Sequence, residues 1–284
     1  MNKKLRAYFL LFIIWALLVI ALFFIFQPRQ KFLEVDFLDV GQGDAELIKT
    51  PYGQKILIDG GPTRAAVIQE LGKVLPFWER KIDLVILTHC HSDHFVGLVE
   101  VFKRYDVGTI IIGTSSSTDE DYLYFLDAAM AEKADFKKAP GREKIVLGDN
   151  CSLEIFNPAF WGAPKDANEL SLVSDLDCGE KILFMGDAGV ATEKIFLANN
   201  FISDTDILKV GHHGSAGASS DEFLQAVQPE TLMILAGVDN SYGLPSPEAL
   251  YRLKKTNAKI FRTDFNGLIK VKDNKGKIEI SSEK

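Results

Sequence analysis

All five histidines of this 284-residue chain fall in two short clusters, at positions 89, 91 and 94 and at positions 212 and 213. Each cluster follows an apolar, β-branched run, Asp83 to Leu87 before the first and Asp206 to Val210 before the second. A fold that kept these rings and their neighbouring acids buried but apart would carry a heavy desolvation cost, so the two strand ends are expected to meet around a common partner. The segment from Thr88 to His94 reads Thr-His-Cys-His-Ser-Asp-His. That density of imidazole and carboxylate at a strand-to-helix turn suits a borderline divalent cation such as zinc, manganese or iron, and makes His89, His91, Asp93 and His94 the expected ligands. Cys90, flanked by two ligands in an extended turn, is expected to point the other way.

The second cluster reads Leu208-Lys-Val-Gly-His-His-Gly-Ser215. Its glycines let backbone approach a ligand closely, so it is expected to form the opposite wall of the site. His212 or His213 would bind metal or protonate a leaving oxygen, and Lys209 would stabilise an anionic transition state. A third element is Asp187, an acid after the apolar run Lys181 to Met185. A carboxylate at the end of a buried strand needs a partner, and its two oxygens allow it to bridge two ions. Asp59 is expected to orient a ligand imidazole from behind, whereas Asp39 to Asp44 and Asp264 are expected to shape loops near the site.

Short strand-like runs dominate the rest, among them Phe32 to Val40, Lys55 to Asp59, Thr109 to Ile112, Lys144 to Leu147, Thr231 to Ala236, Lys259 to Arg262 and Leu268 to Lys272. Helical spacing predicts helices over Arg64 to Val74, His94 to Lys103, Asp119 to Lys133 and Ala191 to Asn199. Ser219 with Glu222 reads as a capping box, and Ser246 with Pro247 as N-cap and first helical residue. Strands followed by helices in two successive blocks predict an α+β chain, two packed sheets with helices outside, in αββα order.

Ahead of this domain, Ala7 to Phe26 carries no charge. Twenty residues at about 1.5 Å each would cover the roughly 30 Å hydrocarbon core of a bilayer, and the run lacks the short apolar core and small-residue exit of a cleaved signal. Residues 1–31 are therefore expected to be an uncleaved transmembrane anchor (about 7–26) with a linker, and residues 32–284 one domain. Lys3, Lys4 and Arg6 before the run, against Arg29 and Lys31 after it, favour a cytoplasmic N-terminus and an extracytoplasmic domain. Residues 1–31 hold five of the 32 basic residues and none of the 39 acidic ones, leaving a net charge of −12 on the rest. That field repels a polyanion at long range and counts against a high-affinity nucleic-acid binding module, though a local cationic site or bound metal still attracts phosphate. Three cysteines, Cys90, Cys151 and Cys178, indicate no disulfide framework, and Cys151 and Cys178 are expected to be core residues.

The run from His89 to His94 matches the His-x-His-x-Asp-His signature, and Gly186-Asp187 the bridging-aspartate motif, of the metallo-β-lactamase superfamily. Further motifs narrow the resemblance: Asp39 to Asp44, Asp59 to Gly61, Asn168 to Ser171, Lys209 to Ser215 and Arg262 to Gly267. Over essentially all of residues 32–284 the chain resembles the nuclease-like domain of ComEC-type competence proteins. The resemblance implies a metallo-β-lactamase-like αββα sandwich that hydrolyses its substrate with water activated by one or two divalent ions, zinc or manganese. His89, His91 and Asp187 would hold one ion, and Asp93, His94 and Asp187 would hold or approach a second; His212 or His213 is the further ligand or the acid. A phosphodiester, DNA or another nucleic acid, is the implied substrate. A lactam, thioester or small phosphoester is the alternative, and an inactive metal-stabilised binding module is the alternative outside catalysis. The chain departs from the family at Leu244, where relatives have a histidine, and has Asn168 and Ser171 where many hydrolases place another ligand. With one apolar segment rather than many, it is not itself a DNA channel.

Overall fold

The computed structural model describes residues 3–25, 32–202, 204–273 and 276–284. After helix α1 (Lys3–Ile25), the strands β1 (Glu34–Phe37), β2 (Glu46–Lys49), β3 (Lys55–Ile58), β4 (Lys81–Leu87), β5 (Asp106–Ile112) and β6 (Asp135–Lys138) lie side by side in one sheet. A second sheet holds β7 (Arg142–Gly148), β8 (Cys151–Phe156), β9 (Val173–Asp177), β10 (Lys181–Phe184), β11 (Ile207–Lys209), β12 (Thr231–Ile234) and β13 (Lys259–Arg262). The chain then returns to the first sheet, where β14 (Ile269–Asp273) pairs antiparallel with β1 and β15 (Ile278–Ser282) closes the edge. Both sheets are mixed: β3 to β6 and β10 to β13 are parallel, and the remaining neighbours antiparallel.

The period of two along each strand decides which layer a side chain enters. Ile56 and Ile58 face the second sheet and meet Leu153, Ile182, Phe184 and Met233 in the inter-sheet core. Leu57, between them, faces outwards and packs with Val67, Leu71, Leu98 and Phe125 from α2 (Arg64–Val74), α4 (Leu98–Arg104) and α5 (Glu120–Ala131). On the far side Leu183, Leu208 and Leu232 are covered by Phe196, Phe223 and Leu253 from α6 (Val190–Asn199), α7 (Asp221–Val227) and α8 (Pro247–Lys254). The result is the expected αββα sandwich. Phe37 and Phe184 stack across the sheets at 6.1 Å, and burying each contributes about 2–3 kcal/mol.

Several local expectations are corrected. The helix expected over His94 to Lys103 is two, because Gly97 presses on the loop after β3: a Cβ there would lie 1.9 Å from Gly60 O. The cap of α7 is Ser220, which accepts from Phe223 N; Ser219 instead donates its backbone N–H to Glu193, and so does Ser220, at 2.9 Å. Cys151 and Cys178 are joined in a disulfide. They lie 27 apart in sequence, but β8 and β9 pair antiparallel with Ser152 opposite Asp177, which brings the two cysteines side by side.

Among the described residues no helix is long and apolar enough to cross a membrane. Helix α1 reaches Ile25, but residues 26–31 and the side chains at 21 and 23–25 lie outside the described residues, as does part of the expected span of about 7–26.

Candidate metal centre

Parallel strands end together, and here the carboxyl ends of β3, β4, β10 and β11 converge where the two sheets face each other. Asp59 follows β3, Thr88 to His94 follow β4, Asp187 follows β10, and His212 and His213 follow β11. The turn after β4 is clamped from two sides: Gly60 N donates to His94 O at 2.7 Å, and Asp44 N to Asp93 O at 3.3 Å. Gly43, at φ +136°, must be glycine, because a Cβ would meet Asp93 O at 2.2 Å.

Asp187 lies at the centre. Its Oδ2 is 3.4 Å from His94 Nε2, 3.8 Å from His89 Nε2 and 3.8 Å from His212 Nε2, and its Oδ1 is 3.4 Å from His213 Nε2. Asp93 completes the ring, 3.8 Å from His94 Nε2 and 3.4 Å from His213 Nε2. Among the described residues three groups could hold an ion: His89-His91-Asp187 and Asp93-His94-Asp187-His213, which share Asp187 and face the cleft, and the fully buried Asp44-Asp59-His94 behind them.

The hydrogen bonds behind the rings fix their tautomers. Thr88 Oγ1 donates its one proton to Asp59 at 2.7 Å, so at 3.1 Å it accepts from His89 Nδ1. His94 Nδ1 donates to Asp59 at 2.7 Å, and His213 Nδ1 to Leu235 O at 3.0 Å. Each of the three rings therefore turns its Nε2 inwards, the nitrogen that would carry the lone pair once a metal displaces its proton. The Nε2 atoms of His89, His94 and His213 and Oδ1 of Asp187 are buried without a hydrogen-bond partner. Divalent cations held by the two sets that share Asp187 would satisfy these atoms, so the residues fit the expected metal.

The electrostatics agree. Burial opposes a charge on His94 and His213, yet Asp187, with Asp59 beside His94 and Asp44 beside His213, raises both well above the usual imidazole range. Asp187 goes the other way: burial resists its ionisation, but His213 and His94 hold it well below the carboxylate range. Asp93, likewise resisted by burial and favoured by His94 and His213, is brought down to about 2. These carboxylates demand positive charge at their centre.

His89, His91, Asp93, His94 and Asp187 are brought together as expected. Of the second pair it is His213, buried against Leu235 O, that joins a ligand set, whereas His212 is 32% exposed and lines the cleft. Both residues have left-handed backbone, φ 48° and 52°, a conformation that costs non-glycine residues about 1–3 kcal/mol each and persists only when its surroundings impose it. His212 N donates to Gly186 O at 3.0 Å, and Ser215 N to His212 O at 2.8 Å. Lys209 is not brought to the cleft. Its ammonium is buried, paired with Asp44 and 2.9 Å from Gly186 O, so it has no route to a substrate. Asp44, expected to shape a loop, is instead the partner of Lys209 and lies 3.2 Å from His213 Nδ1. Cys90 belongs to none of these groups, and burial pushes its thiol pKa up, away from the thiolate a metal requires.

The centre opens into a cleft of about 500 Å³ lined by Gln42, His91, Asp119, Asp121, Asn168, His212, Tyr242 and Leu244 among others. Asn168 Oδ1 is buried there without a partner, and Leu244 stands where a histidine of relatives was expected. Ser171 Oγ accepts from Asp187 N at 3.1 Å and so positions the shared carboxylate. Thr88 and Asn168 were not singled out as site residues; a threonine directly before the first histidine was the available signal for one of them.

Residues 38–161 match the model of the metallo-beta-lactamase superfamily. The chain is 30% identical over 270 residues to ComE operon protein 3 of Bacillus subtilis (strain 168), covering 88% of this chain and 34% of that protein. It is 29% identical over 251 residues to Recombination protein 2 of Haemophilus influenzae, covering 87% and 30%. The chain thus spans about a third of the length of these curated relatives. Its fold resembles the metallo-beta-lactamase fold protein YhfI of Bacillus subtilis, with a TM-score of 0.59 at 13% identity over 84% of this chain and all of that one. Signature, sandwich and ligand sets agree with the family model, and the chain is similar to the metal-dependent hydrolases of the metallo-β-lactamase superfamily.

Proposed function

We propose that the chain hydrolyses a phosphodiester, with single-stranded DNA or a short oligonucleotide as substrate, outside the cytoplasmic membrane. The observation that carries this reading is that Asp187 belongs to both ligand sets that face the cleft. Phosphodiester hydrolysis needs cationic charge at the non-bridging oxygens and at both the entering and leaving oxygens. Among the described residues lining the cleft there is no lysine or arginine. Bound divalent ions supply that charge and activate the attacking water. The chain's own residues do the rest. Asp187 and Asp93 hold the cations, Asp59 and Leu235 O orient the ligand rings from behind, and His212, open to the cleft, exchanges a proton with the leaving oxygen. Lys209 acts as a positioning residue through Asp44.

The similarity to proteins named for competence and recombination supports a nucleic-acid substrate. The acidic lining, Asp119 and Asp121, and the net charge of the domain favour weak, salt-sensitive binding over a tight polyanion grip.

The extracytoplasmic reading rests on the charge asymmetry about the apolar helix and on the disulfide, which persists in oxidising compartments. Apart from the half-buried Ala16, the described side chains of α1 are exposed, Phe9 at 59% and Trp15 at 61%. A helix apolar on every side needs an apolar environment, and a single-pass anchor at about residues 7–26 gives it one.

The test compares a bis-aryl phosphodiester, single-stranded DNA and a chromogenic cephalosporin on one metal-loaded preparation of the full chain. Phosphodiester turnover in manganese or zinc, with little cephalosporin turnover, is expected. Robust cephalosporin turnover without phosphodiesterase activity refutes the substrate class, and no turnover of any of them refutes the catalytic reading in favour of a metal-stabilised binding module.

A further inference from the structure

The end of the sandwich opposite the metal centre carries an exposed aromatic pair. Phe77 is 81% exposed and Trp78 41%, and their rings meet edge to face at 4.8 Å. They occupy the loop between α2 and β4, directly before the strand whose other end bears His89. Seven residues of β4 at about 3.3 Å each separate the pair from the metal turn by roughly 20 Å.

That loop sits beside the start of β1. Lys49 is paired with Glu34 in strand register and donates to Val74 O at 3.2 Å, and Glu34, Tyr52, Leu75 and Pro76 line one shared cleft. Strands β1, β3 and β4 all run from this end towards the metal, so the chain enters the domain at the end farthest from the catalytic cleft. From Ile25 to Glu34 the backbone can extend at most roughly 30 Å, whatever its conformation. The end of the apolar helix is therefore tethered within roughly 30 Å of Glu34, on the side of the domain that carries Phe77 and Trp78.

We propose that this end is a membrane-contacting surface, with Phe77 and Trp78 seated in the headgroup region of the bilayer that holds α1, so that the catalytic cleft faces away from the lipid. The inference rests on the anchor reading above. The indole of Trp78, apolar with one N–H, favours that interface, and the apolar ring of Phe77 adds buried area beside it. The exposed Arg80 next to the pair suits lipid phosphates, and two nearby acids are ion-paired, Glu79 with Lys55 at 2.8 Å and Asp83 with Lys81 at 2.6 Å. The exposed Tyr52, held at the β7–β8 turn by Asp149 O, adds a third aromatic residue at the same end.

The three tryptophans of the chain, Trp15, Trp78 and Trp161, allow a direct test. Full-length W15F/W161F, reconstituted in phosphatidylcholine vesicles with brominated acyl chains, leaves Trp78 as the reporter; W78F/W161F leaves Trp15. Trp78 emission is expected to be quenched most by lipid brominated close to the headgroup and shielded from iodide, whereas Trp15 is quenched most by deeply brominated lipid. Trp15 quenched with Trp78 unquenched and open to iodide overturns the docking surface and leaves the anchor standing. Trp78 shielded from iodide but untouched by bromine places a protein partner there and also overturns it. Trp15 unquenched removes the anchor, and the proposal with it.

Discussion

Strands β1 to β4 have buried charge at both ends, and the two ends neutralise it by different means. At the entry end, Lys49 lies 2.5 Å from Glu34 and 2.7 Å from Asp36, an ammonium shared by two carboxylates. At the catalytic end, Asp187, Asp93 and the histidines converge, and the Nε2 atoms of His89, His94 and His213 and Oδ1 of Asp187 have no hydrogen-bond partner. A lysine on a flexible stem fills the first gap permanently. The second is left to a ligand that can enter, polarise a substrate and be exchanged. Lys209 and Asp44 stand between the two cases, a closed ion pair set directly behind the open centre.

If this contrast is right, emptying the catalytic end abolishes chemistry while the fold survives. Asp187→Ala and His91→Ala are expected to lower phosphodiester turnover by about a thousandfold or more, some 4 kcal/mol of transition-state stabilisation, with far-UV dichroism little changed. Metal content by mass spectrometry should fall in parallel. Wild-type turnover with full metal content in either variant would break the assignment of the centre.

The intermediate case should behave as a structural ion pair. Lys209→Met leaves Asp44 buried without its partner and is expected to cost about 3 kcal/mol in denaturant melts. Adding Asp44→Asn should recover most of that loss, since removing both charges is far less costly than removing one. A Lys209→Met chain as stable as the parent, but with turnover reduced in proportion to substrate charge, would return Lys209 to the substrate and contradict its burial.

A pH-dependent effect belongs to the entry end. Burial raises the Asp36 pKa to about 6, despite the opposing pull of Lys49. An acid whose folded pKa lies above its unfolded value near 3.8 holds more protons when folded, so its contribution is most favourable below about pH 4 and declines as pH rises through 6. Asp36→Asn is therefore expected to be neutral at pH 4 and to gain up to about 3 kcal/mol at pH 8, with Lys49 still paired to Glu34. No gain, or a loss, at pH 8 would mean that the lysine matches both acids fully.

The parts of this arrangement that were legible in the chain depend on short-range order. Short apolar, β-branched runs such as Lys55 to Asp59 announced their strands, and the ligands of the first cluster were readable because four donors crowd into six residues. What stayed hidden depends on direction and on distant partners. His212 and His213 are identical in type, and only a pair of left-handed backbone angles decides which ring turns inwards. Lys209 looked available because composition does not reveal that Asp44, 165 residues earlier, claims its ammonium. Likewise nothing in the count of three cysteines says that β8 and β9 bring two of them together.

The dispersal of the centre along the chain also bears on how the protein is made. Its parts run from Asp44 through Asp59, the turn after β4 and Asp187 to His213, whose ring is held by Leu235 O on the segment after β12. A nascent chain that ends before β11 has His89, His91, Asp93, His94 and Asp187 but neither the last ring nor the carbonyl that aims it. The set that includes His213 is thus completed late in synthesis, only after the chain has passed β12, whereas His89, His91 and Asp187 are all present earlier.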